Sequence, residues 1–132
     1  MGLESYNFRA KKSTTKKNII GKFLESEYEL SGADTLEKES KSGFVEIEIS
    51  DFIWIRTAKL NHPDIIKEIY SDLMKVVNDN GEIYDLQLKK YFKFSSYEES
   101  LHNFEREKKE FSNHFKVGKY PIRCEDVWKE YK

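Results

Sequence analysis

A chain of 132 residues and 15.7 kDa has the size of one domain, with no room for a second. Charged residues, at 36%, nearly match hydrophobic ones, at 38%, but nine Phe, eight Tyr and two Trp exclude a disordered chain, and two Pro with six Gly exclude a linker. The 23 Lys+Arg against 24 Asp+Glu leave a net charge of -1, which excludes the overall basic field that gathers nucleic acid.

No apolar run approaches the ~20 residues of a membrane-spanning helix. The opening MGLESYNFRA lacks the apolar stretch of a secretory signal, and Tyr6 stands where the myristoylation pattern needs Ser or Thr. A single cysteine, Cys124, has no partner within the chain, so a reducing, cytoplasmic location is expected.

Tyr6, Phe8 and Ala10 alternate with Ser5, Asn7 and Arg9, the period of a half-buried strand. Beyond Lys11 and Lys12, Ser13 or Thr14 is placed to cap a helix carrying Ile19, Ile20, Phe23 and Leu24, which ends near Ser26. Residues 27–30 read as a brief strand, and 31–43, SGADTLEKESKSG, as a mobile acidic loop with one large apolar residue. Val45, Ile47 and Ile49 alternate with Phe44, Glu46 and Glu48, a strand with one wet face, followed by a turn at Ser50-Asp51. The run FIWIRTAKL, 52–60, is apolar on both faces except at Arg56, Thr57 and Lys59. It belongs in mid-sheet, covered on both sides for part of its length.

Asn61 is placed to cap, and Pro63 to open, a helix striped by Ile65, Ile66, Ile69, Tyr70, Leu73, Met74, Val76 and Val77 and stopped at Asn80-Gly81. Tyr84, Leu86, Leu88 and Phe92 restore a period of two, so 83–92 read as one strand. Ser95-Ser96, with Glu98 and Glu99 behind them, open a long helix striped by Tyr97, Leu101, Phe104, Phe111 and Phe115 and interrupted by Lys108. Residues 117–121 read as a break in it, and 125–132 as a last helical turn or two, expected to dock through Val127, Trp128 and Tyr131.

This order of elements over 5–92 resembles the split βαβ arrangement of ferredoxin-like domains. The resemblance implies an α+β fold within a single domain, 1–132. A βαββαβ sheet would carry its two main helices on one face, with 95–132 as a C-terminal helical extension. It implies no activity, because many unrelated functions use that arrangement.

The small net charge hides a strong local asymmetry. Residues 1–24 hold six bases against Glu4, while 25–51 hold nine acids against Lys38 and Lys41. Either the two blocks lie side by side and neutralise each other, or one of them faces a partner.

Catalytic signatures are missing. There is no G-x-S-x-G, no H-E-x-x-H and no glycine-rich phosphate loop. His62 sits in the Asn-His-Pro-Asp helix start. Glu99 with His102, and Glu110 with His114, are pairs on one helix and too few ligands for a metal, so neither metal nor cofactor is expected. Cys124, beside Arg123, has no nucleophile signature around it.

Two constellations remain as candidate binding sites. Arg56 shares a strand face with Trp54, and Glu46, Glu48 and Asp85 are its candidate carboxylate partners. With Tyr84, these residues are either a structural ion pair or a pocket for a small anionic ligand. Lys11, Lys12, Ser13, Thr14, Lys16 and Lys17 gather charge and hydroxyls at a helix start, which is either a solvated basic loop or an anion site. Tyr91, Phe92 and Phe94 among Lys89, Lys90 and Lys93 hint at base stacking, but the glycine-containing aromatic motif of RNA-recognition domains is missing from 52–60.

The resulting expectation is a non-catalytic protein-binding module, by analogy an adaptor or a toxin-neutralising immunity factor of bacterial type. It would bind a protein rather than a membrane or nucleic acid, and association of two copies stays open. The alternative is a small-molecule binder or enzyme built around Arg56.

Overall fold

The structure, a computed structural model, describes residues 4–78 and 80–112. Its elements run β1 (Ser5–Ala10), α1 (Lys16–Glu25), β2 (Glu29–Leu30), β3 (Thr35–Glu39), β4 (Phe44–Ile49), β5 (Ile53–Ala58), α2 (Asp64–Val76), β6 (Glu82–Asp85), β7 (Lys90–Lys93) and α3 (Glu98–Ser112). The fold is α+β. All seven strands join one antiparallel sheet in the order β2-β3-β4-β5-β1-β6-β7.

That sheet has three more strands than the βαββαβ order expected from sequence, and two misreadings account for most of the excess. The segment 31–43, expected as a loop, contains β3, whose Leu36 lies buried opposite Ile47. Lys38 also points to the core side, where it donates to Asp72 at 2.8 Å. A lysine at an inward position conceals the period of two that marks a strand. The expected strand 83–92 is instead a hairpin. The Asp85 carboxylate accepts from the backbone N–H groups of Gln87 and Leu88, and its carbonyl accepts from Lys89, turning the chain between β6 and β7.

Helix ends follow their capping chemistry. Thr15, one residue beyond the expected caps, is the N-cap of α1, its hydroxyl accepting from Asn18 N–H at 3.3 Å. Asn61, expected as a cap for α2, is fully buried and donates instead to Thr57 Oγ1 at 3.1 Å. Pro63 occupies the N-cap position, and His62 Nδ1 accepts from Asp64 N–H at 3.1 Å. Gly43, at φ +151°, lies against the Asn61 side chain where a Cβ would come within 2.3 Å, so a side chain is excluded there.

One face of the sheet presents Tyr6, Phe8, Ala10, Ile47, Ile53, Ile55 and Ile83, all buried against α1, α2 and α3. Tyr70 of α2 meets Phe8 edge-on at 5.8 Å, and Phe104 of α3 meets Tyr6 at 5.4 Å. Each such side chain contributes about 1.5–3 kcal/mol on burial. Among the described residues, no helix packs on the other face. The run 53–58 is open on that side only at its start, with Trp54 half-buried and Arg56 exposed, and is covered on both sides at its end, where Ala58 and the opposing Ser5 are buried.

Candidate functional site

Because neighbouring strands pair residue against residue, the register states which side chains share the uncovered face. Glu29 opposes Glu37, Glu37 opposes Glu46, Glu46 opposes Arg56, and Arg56 opposes Asn7. One row across the sheet therefore reads Glu29, Glu37, Glu46, Arg56, Asn7. The adjacent row reads Thr35, Glu48, Trp54, Arg9, Tyr84, Tyr91. The face thus divides into an acidic half on β2–β4 and an aromatic half on β5, β1, β6 and β7.

Three glutamates in directly opposed positions repel one another, an arrangement that folding alone disfavours. Arg56 relieves the row at one end, its Nε donating to Glu46 Oε2. Glu37, Glu46, Glu48, Trp54 and Arg56 line a shallow groove of about 460 Å3 over this half. Carboxylates outnumber arginine there by three to one, so the groove favours a cation.

The expected Arg56 constellation is only partly assembled. Glu46, Glu48 and Trp54 join it, while Tyr84 lies across β1 and packs on Arg9. Asp85 is excluded by parity: it opposes Phe8, and so faces the helices, whereas Arg56 opposes Asn7. Asp85 is fully buried, accepting from Tyr6 Oη at 2.6 Å, Ser100 Oγ at 2.7 Å and Gln87 Nε2 at 2.9 Å besides the two backbone donors. Ser100 gives its proton to Asp85, so Tyr70 Oη donates to Ser100 at 2.7 Å. Asn103 Nδ2 donates to Tyr6 Oη at 2.9 Å. Burial, and then the nearby Asp85 charge, hold the Tyr6 phenol far above its ordinary value; burial does the same to Tyr70. The network ties β1, β6, α2 and α3 together, with its oxygens committed internally.

A similar cluster fixes β3. Asp72 of α2 accepts from Lys38 and from Tyr28 Oη, the latter at 2.9 Å, and burial first, then Asp72, raises the Tyr28 phenol.

The basic segment divides. Lys16 pairs with Asp34 at 2.8 Å, the one ion pair between the basic and acidic blocks among the described residues, and Thr14 Oγ1 accepts from Asn18 Nδ2 at 3.2 Å. Lys17 is exposed on α1. Lys11, Lys12 and Ser13 belong elsewhere, on the rim of a second groove of about 520 Å3 that also takes in Arg9, Phe52 and Tyr91. Arg9 is the residue that sequence reasoning missed. Its guanidinium carbon lies 4.9 Å from the Phe52 ring, 5.9 Å from Trp54 and 4.6 Å from Tyr84. The alternation of β1 put it on the wet side; only the register shows that both neighbouring strands bring rings to it.

Glu99 of the Glu99–His102 pair is taken by Lys90 at 3.2 Å. Among the described residues no three His, Cys, Asp or Glu side chains gather as a metal would require, and no helix is long and apolar enough to cross a membrane. Phe115, His114, Cys124 and the expected last helix at 125–132 lie outside the described residues. Comparison with protein-family models, curated proteins and solved structures returns no match.

Proposed function

We propose that this chain is a non-catalytic protein-binding module, acting as an adaptor or an immunity-type neutraliser, whose acidic half-face docks a basic segment of a partner protein. The observation that carries this reading is the cross-strand row Glu29, Glu37, Glu46 on a face that no described helix covers. Such a row is unfavourable in the free chain and becomes favourable when lysines or arginines neutralise it. Complementary charge also speeds encounter and sets orientation, while Trp54 in the groove lining offers apolar surface beside the glutamates.

Two structural readings go with this proposal. The four strands β4-β5-β1-β6, with α1 and α2 on one face, support a ferredoxin-like core, widened by β2-β3 at one edge and β7 at the other. The single cysteine in the sequence supports a reducing, cytoplasmic setting.

The test begins with the partner copurified from the native host. Triple reversal E29K/E37K/E48K is expected to weaken the isolated complex by roughly a hundredfold at low salt. Reversal of Lys11 and Lys12 on the other half should leave it within about twofold. Affinity that survives the glutamate reversals would sink the proposal. A second reading, a small-molecule site at Arg56, is favoured only by the groove that encloses Arg56 with Glu46 and Glu48. It predicts that Arg56→Gln abolishes binding, whereas removing a cation from an acidic docking face should preserve or strengthen it.

A further inference from the structure

The second groove lies on the opposite half of the molecule, where β1 runs out towards α1 and the α2–β6 connection closes the far side. Its charge is the reverse of the acidic half. Among the described residues, Arg9, Lys11 and Lys12 line it against the single acid Glu82, and none of these three cations forms an ion pair with a described carboxylate. Three cations lining one groove repel one another, as the glutamates do across the sheet. The Arg9 Nε is buried with no acceptor, although buried arginine donors are ordinarily satisfied.

Aromatic surface completes the site. Tyr91 is 55% exposed, the most exposed ring among the described residues' large hydrophobics, and Phe52 also lines the groove. Gly81 fixes the opposite wall: a Cβ there would fall 2.2 Å from the Phe94 ring, so backbone and ring are already in contact. The volume, about 520 Å3, lies within the range of small-molecule sites.

From these observations we infer that the groove binds a small aromatic phosphate, with its ring on Tyr91 and Phe52 and its phosphate among Lys11, Lys12 and the Ser13 hydroxyl, close to Arg9. A phosphate fits better than a carboxylate because three cations and a hydroxyl match a doubly charged group with several acceptor oxygens. The site is independent of the acidic docking face, and either can fail alone.

Titration of the isotopically labelled chain with phenyl phosphate, inorganic phosphate and phenol, followed by amide chemical shifts, tests the inference. Phenyl phosphate should give saturable shifts at Lys12, Ser13, Gly81 and Tyr91, with affinity at least roughly tenfold above that of either fragment. The exposed double variant K11A/K12A should lower that affinity by roughly tenfold or more, and Tyr91→Ala should erase the preference for phenyl over inorganic phosphate. Saturable binding that ignores K11A/K12A, shifts confined to Lys16 and Lys17, or no saturation would each overturn the inference. Equal affinity for phenyl and inorganic phosphate would overturn the aromatic ligand class.

Discussion

On the helix-covered face of the sheet, Asp85 sits in the core with both carboxylate oxygens filled by donors from β1, α3 and the β6–β7 turn; on the other face, Glu29, Glu37 and Glu46 stand directly opposed, with Arg56 donating to Glu46. Both arrangements put acid on a β-sheet. The first is complete within the chain and is explained by stability. The second sets like charges opposite one another on a face that no described helix covers, where a basic partner would be favoured. Place in the strand register, rather than charge or proximity to an arginine, separates the structural carboxylate from the candidate functional ones.

The sharpest challenge to that contrast is alkaline pH. Burial keeps Tyr6, Tyr28 and Tyr70 protonated in the folded chain beyond the ordinary phenol value. The unfolded chain releases those protons near pH ~10. The stabilisation is therefore full below that point and falls as pH rises above it, by about 1.4 kcal/mol per pH unit for each phenol. Phenolate absorbance from these three residues should rise together with the loss of helix signal. Ionisation of all three in a chain with intact circular dichroism would show that the covered face is open to solvent.

A smaller effect comes from the carboxylate itself. Asp85→Ala leaves Tyr6, Ser100 and two backbone N–H groups without their acceptor, and should lower unfolding free energy by about 3–5 kcal/mol. Urea denaturation reads this directly, and a change below about 1 kcal/mol would contradict the closed network. The smallest effect has the opposite sign. Glu29→Lys places a cation opposite Glu37 and should stabilise the fold by up to about 0.5 kcal/mol while weakening the partner complex. Destabilisation by that variant would remove the premise that the row is unfavourable.

Much of this was readable in advance, because it depends on local pattern. The apolar stripe of α2 and the alternation of β1 and β4 mark their own elements and inward faces. The unequal charge of the first two blocks also survives into the structure as an acidic half-face and a basic groove. Parity within a strand was equally available: if Tyr84 faces solvent, Asp85 faces the core, so the two cannot serve one Arg56 pocket. By contrast, β3 was illegible, since Lys38 points inward to Asp72, a partner 34 residues away. The 83–92 hairpin was illegible for a related reason: its leucines keep the period of two through a turn that the Asp85 carboxylate organises.

The sequence by itself determined the class of the fold, the positions of its main helices, and the signs of the charge blocks, because periodicity and composition act over a few neighbouring residues. Only the tertiary structure decided which glutamates oppose one another, that Asp85 belongs to the core, and that Arg9 meets rings from the strands on either side. Those facts depend on strand register, and register joins residues distant in the chain through hydrogen bonds that no local pattern encodes.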